Sequence, residues 1–152
     1  MRALGVVLLL LAVAQPALAA EETALPRVAW SFDGPFGRYD RAAARRGFEI
    51  YTQSCQFCHG LRYVAFHKLA DLGYSEREIV EIAAKREVLD GPDDQGAMFK
   101  RAGRISDKFP SPFPNDRAAR ASNGGALPPD LSLIVEARAG GPNYIFGVLA
   151  GY

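Results

Sequence analysis

The residue types that could do chemistry are concentrated in five consecutive positions, Cys55-Gln56-Phe57-Cys58-His59. This is C-x-x-C-H, the attachment pattern of a c-type haem. Two thiols one short turn apart can each add across one vinyl group of the porphyrin. The histidine directly after the second thiol then stands over the iron and ligates it through Nε2. The motif uses both cysteines of the chain. A thioredoxin-like redox pair shares the C-x-x-C spacing but wants a strand-helix βαβ setting, and none is legible here. A zinc site would need a fourth ligand beside Cys55, Cys58 and His59. The expectation is therefore one covalent haem c held by Cys55 and Cys58, with His59 as the metal ligand.

Two other residues could reach an iron. His67, the second of the chain's 2 histidines, lies eight residues after His59. It would have to wrap round to the opposite haem face within a span of at most ~28 Å, so it reads as a surface histidine. Met98 is the one methionine after the initiator and sits in a loop. Methionine more often fills gaps than binds iron, so it is not placed in the ligand set.

The elements that position the motif read as short helices joined by long loops. Residues 21–38 form a Pro- and Gly-punctuated loop whose rings, Trp30, Phe32 and Phe36, are expected to pack on the core. Asp40 can cap a helix that runs to about residue 54. Gly47 and Tyr51 share a face of it, and a glycine inside a helix suggests another helix crossing close by. Ser75 and Glu78 form a capping box that opens a helix through about residue 87. Residues 90–114 lack periodicity and read as one long surface loop. A short helix over 116–121 ends at Asn123-Gly124. Pro128-Pro129-Asp130 is expected to start a helix over 131–138, and Asn143 to cap a last one over 144–149. With no sustained period-two alternation, a sheet is not expected.

Residues 1–20 read as a signal peptide. Arg2 is the basic start, residues 3–14 are an unbroken apolar run, and Ala17-Leu18-Ala19 is a small-x-small cleavage pattern. The run is about twelve residues, short of the ~20 that span a bilayer as a helix. With no twin-arginine pair before it, Sec export is expected. Residues 21–152 then form one domain. Apolar residues make up 49% of the chain and charged residues 23%, which excludes a disordered or collagen-like protein. Lys plus Arg total 18 against 17 Asp plus Glu. That balance gives no support for nucleic-acid binding.

Several blocks together resemble a known family. Arg46-Gly47-Phe48-Glu49-Ile50-Tyr51, the run 55–64 around the motif, the run 118–132 and the final 141–152 are similar to cytochrome c1 of the cytochrome bc1 complex, as is Trp30-Ser31-Phe32-Asp33-Gly34. The block Gly125-Ala126-Leu127-Pro128-Pro129-Asp130-Leu131-Ser132 and the Gly-Tyr ending are the most specific parts. The resemblance covers nearly all of residues 30–152. It implies a mainly α, class I cytochrome c-like haem domain with long loops, held on the periplasmic face of the membrane. It implies that electrons come from the Rieske iron–sulfur protein, that cytochrome b is a neighbouring subunit, and that a soluble cytochrome c is the acceptor. Such a chain is an electron-transfer subunit, not an enzyme on its own. Pro128 and Pro129 match the stretch beside the proximal histidine, where a proline carbonyl can take the Nδ1 hydrogen. Arg138 and Tyr144 match positions near the haem, where an arginine can neutralise a propionate. In the family the distal methionine and anchoring helix follow the Gly-Tyr ending, so the domain is expected to be incomplete at its C-terminus. A small soluble periplasmic c-type cytochrome and a five-coordinate haem sensor or enzyme remain as alternatives.

Overall fold

In the computed structural model, which describes residues 24–151, the first helix, α1 (Arg41–Gln53), starts where the sequence places its cap. Asp40 Oδ1 accepts the N–H groups of Ala42 and Ala43 at 2.9 and 3.1 Å. These are donors that a helix start otherwise leaves unpaired. The expected signal peptide lies outside the described residues. At its far end α1 gives way to a 3₁₀ turn, Cys55–Phe57, so the motif is presented at a helix terminus.

The core is small. Phe66 and Leu69 of a 3₁₀ segment (Phe66–Leu72), Ile79 and Ala83 of α2 (Glu76–Ala84), and Phe109 are buried together. The Ser75–Glu78 capping box forms as expected, although α2 stops at Ala84 rather than near residue 87. Helix α1 reaches this core through Phe48, whose ring stands edge-on to Tyr74 and Phe109 at 5.8 and 5.7 Å. Among the described residues, no atom outside the neighbouring backbone of α1 lies within 4 Å of the place a Cβ on Gly47 would take, so no described helix crosses there.

The expectation of no sheet fails locally. β1 (Glu87–Asp90) and β2 (Phe99–Ala102) pair antiparallel, with Glu87 opposite Ala102 and Asp90 opposite Phe99. Each strand has only four residues, too few to display a period of two. A side chain fixes the hairpin instead. Arg101 grips Asp107 with two hydrogen bonds, at 2.6 and 3.0 Å, and also bonds Asp90. The stretch 90–114 is thus not a plain surface loop. Phe66 N–H donates to Asp107 O, His67 N–H to Ile105 O and Phe109 N–H to Val64 O, which carries Phe109 into the core.

Helix α3 (Asp116–Ser122) is capped by Asn115, which accepts the Ala118 N–H. The helix expected over 131–138 does not form. That stretch makes successive turns, with Glu136 and Ala137 N–H both donating to Leu133 O. Helix α4 (Gly141–Ala150) begins earlier than expected, from Gly140 in the left-handed region (φ 87°). Asn143 is not its cap. Its Oδ1 accepts Val28 N–H and Trp30 Nε1–H at 3.2 and 2.9 Å. Trp30 also meets Phe146 edge-on at 6.1 Å, so the Trp30 ring packs on α4 rather than on the core. Phe32 stacks between Trp30 and Tyr39, while Phe36 is 93% exposed. Among the described residues the fold is mainly α, and none of their helices is long and apolar enough to cross a membrane.

Candidate functional site

The motif is built on the 3₁₀ turn that follows α1. The Cys55 carbonyl accepts two N–H groups, from Cys58 at 3.1 Å and from His59 at 2.8 Å. This winds the chain tightly enough to bring both thiols and the imidazole onto consecutive corners. Cys55 and Cys58 are free and half-buried. Tyr51, one turn earlier, donates its hydroxyl to His59 O at 2.9 Å. Burial pushes its phenol up to about 12, so it remains a donor at neutral pH.

The imidazole is held from the other side. His59 Nδ1 lies 2.8 Å from the Pro129 carbonyl oxygen. A carbonyl can only accept, so Nδ1 carries a ring proton, and in the neutral ring that tautomer leaves the lone pair on Nε2. A neutral imidazole with an unengaged Nε2 is the form that ligates a metal.

The Pro129 loop is stitched to the chain just after His59. Leu131 N–H donates to Gly60 O at 2.9 Å. Asp130 Oδ2 accepts Arg62 N–H at 3.0 Å, and Ser132 Oγ accepts Tyr63 N–H at 3.1 Å. Burial tends to raise the Asp130 carboxyl, but the hydrogen bonds from Arg62 and Ser132 hold it below the usual range. Gly60 is buried, and a Cβ there would lie 2.7 Å from Asp130 Oδ2. Gly60, Asp130 and Ser132 are not among the site residues expected from sequence. The one available signal was the Asp-x-Ser spacing of an Asx turn, which looks the same as a helix start.

Two cavities flank this seam. One, of about 290 Å³, is lined by Cys58, Gly60 and Arg62, by residues of the 111–119 stretch, and by Leu127, Pro128 and Pro129. The second, of about 200 Å³, lies between Arg62, Tyr63 and Pro129 and the side chains of Leu133, Ile134 and Arg138. The structure therefore gathers Cys58, Pro128, Pro129 and Arg138 around the seam. Tyr144, in the first turn of α4, lines neither cavity. Exposed Met98 sits beside Gly91 at the hairpin tip, and His67 lines a separate groove with Glu76 and Ile79. Phe57, Leu127, Leu133 and Val135 leave large apolar surfaces in solvent around the motif and the seam. Among the described residues, no three His, Cys, Asp or Glu side chains gather in a way that could hold a metal ion. Two thiols, one imidazole with a free Nε2 and exposed apolar side chains nearby fit a haem.

The chain matches the model of the Cytochrome C1 family over residues 30–152. It belongs to the cytochrome c1 family. Among relatives of this cytochrome c1-family chain, cytochrome c1 of Rhodospirillum rubrum is 54% identical over 123 residues, which cover 81% of this chain and 45% of that protein. "Cytochrome c1 1, heme protein, mitochondrial" of Arabidopsis thaliana is 49% identical over 127 residues, covering 84% and 41%. "Cytochrome b/c1" of Bradyrhizobium diazoefficiens is 52% identical over 129 residues, covering 81% and 19%. The chain thus spans less than half the length of these cytochrome c1 relatives. Its mainly α architecture agrees with a cytochrome c-like domain.

Proposed function

We propose that this chain carries one haem c and serves as the electron-transfer part of a cytochrome c1. Cys55 and Cys58 each supply one thioether sulfur, and His59 is the proximal ligand through Nε2. The observation that carries this reading is the 2.8 Å contact from His59 Nδ1 to Pro129 O, directly after two free thiols. It orients the ring and raises its basicity as a ligand. When bound, the haem supplies a one-electron ferric–ferrous couple, and the protein's own part is to hold it and tune it. Pro128 and Pro129 wall the proximal side. Arg138, exposed beside Pro129, is a cation for a propionate. Tyr144 is assigned to the haem surroundings on family resemblance.

The same reading extends to the whole protein. It takes electrons from the Rieske iron–sulfur protein, sits beside cytochrome b and delivers to a soluble cytochrome c. It is a subunit of an oxidoreductase complex, not an enzyme by itself. The signal at residues 1–20 exports it to the periplasmic side of the membrane. The name "Cytochrome b/c1" of the Bradyrhizobium relative supports the pairing with cytochrome b.

The test is expression in a host that matures c-type cytochromes. A haem-stained band on a denaturing gel and a pyridine spectrum of the bis-thioether kind are expected. Cys58→Ser should shift that spectrum to the single-thioether form. Colourless protein, or pigment that extracts into acidified acetone, overturns the reading.

A further inference from the structure

Pro128 and Pro129 have no backbone N–H, so this stretch cannot tie itself down with its own amides. What holds the Pro129 carbonyl over His59 must come from the residues that follow. The Asp130 carboxylate does this with both oxygens. Oδ2 accepts Arg62 N–H at 3.0 Å, three residues past His59, and Oδ1 accepts Ser132 N–H at 2.9 Å, closing its own turn. Leu131 and Ser132 extend the seam to Gly60 and Tyr63. Oδ2 also fills the space where a side chain on Gly60 would start, 2.7 Å from the Cβ position. One carboxylate therefore locks the residue after Pro129 to the segment that leaves His59.

We propose that Asp130 is the positioning residue for His59: its carboxylate clamps the Pro129 carbonyl onto the imidazole Nδ1–H. The clamp is a property of this chain's own hydrogen bonds. Its effect on the iron rests on the function proposed above. A firm Nδ1–H···O bond makes the imidazole a stronger donor and favours ferric iron, so loosening the clamp raises the reduction potential.

The test compares the full-length haem-loaded protein with Asp130→Ala, Asp130→Asn and Gly60→Ala. Two quantities are read: solvent exchange of the His59 Nδ1 proton by NMR, and the midpoint potential. Asp130→Ala should speed exchange roughly tenfold, the equivalent of about one hydrogen bond, and raise the potential. Asp130→Asn keeps the shape and one carbonyl acceptor and should fall between. Removing the carboxylate also deletes a negative charge. Gly60→Ala keeps the charge but displaces the carboxylate, and should still speed exchange and raise the potential. The clamp is refuted by parental exchange and potential in both Asp130→Ala and Gly60→Ala. Should the alanine variant at 130 not accumulate, Asp130→Asn and Gly60→Ala carry the same comparison. If the parent itself binds no haem, the proposed function has failed. The exchange ordering in the haem-free protein then still decides the clamp: faster in the variants supports it, and unchanged refutes it.

Discussion

Tyr51 and His59 are joined by a 2.9 Å hydrogen bond from the phenol hydroxyl to the backbone carbonyl. The bond ties the end of the motif back to α1 across the 3₁₀ turn, and both residues are half-buried. Tyr51→Phe removes the donor and nothing else. The expected cost is about 1 kcal/mol, read from denaturant unfolding of the parent and variant.

Phe109 should behave as a core residue despite its Pro-rich surroundings. It is 5% exposed, and its ring centroid lies 4.2 Å from that of fully buried Phe66. Phe109→Ala leaves a cavity, and the expected loss is about 3–5 kcal/mol. Solvent-exposed Phe36 offers the control, and its alanine variant should unfold with the parent.

Acid sensitivity should arise at carboxylates away from the motif as well as at Asp130. The Arg101 guanidinium holds the Asp107 carboxyl at about 2. The Ser75 N–H and hydroxyl, with Arg45, hold Glu78 at about 2. Both values lie below the unfolded range of about 4. Lowered carboxyls add stability that is fully present above the unfolded value and is lost as pH falls towards the folded one. Stability should therefore fall between about pH 4 and pH 2. Asp107→Asn should be less stable than the parent at pH 7 and show a shallower decline in that window. Denaturant midpoints measured against pH give both.

The chain has one tryptophan, which makes the docking of residues 24–38 directly observable. Trp30 Nε1–H is bonded to Asn143 Oδ1, and its ring meets Phe146. Asn143→Ala should shift the Trp30 emission to the red and raise its quenching by iodide, because the ring loses its tether to α4. Emission identical to the parent would show that the tether does not hold the segment.

How much was legible in sequence depends on the reach of each contact. Asp40 and Ser75 cap helices through donors two or three residues away, so a local reading finds them. Asp130, Ser132 and Asn143 use the same side-chain chemistry, but their partners lie 68, 69 and 113 residues distant. In sequence Asp130 and Asn143 look like further helix starts, which is why a helix is expected over 131–138 that does not form and the last helix is expected to begin later than it does. The hairpin was hidden because an ion pair and a four-residue pairing carry it rather than a pattern. C-x-x-C-H was legible because everything in it is local. The placement of the proline pair beside His59, 70 residues apart in sequence, came from family resemblance and not from periodicity.

Arg101 joins Asp90 on one strand to Asp107 beyond the other, and Asp107 in turn accepts the amide of Phe66. Everything between those anchor points and the outer end of the ribbon, residues 91–98, faces solvent. That end is consequently a modular handle: an epitope or a fluorophore-bearing insert could replace it without disturbing the scaffold. A single-residue deletion between 102 and 107 would instead pull the whole ladder out of step.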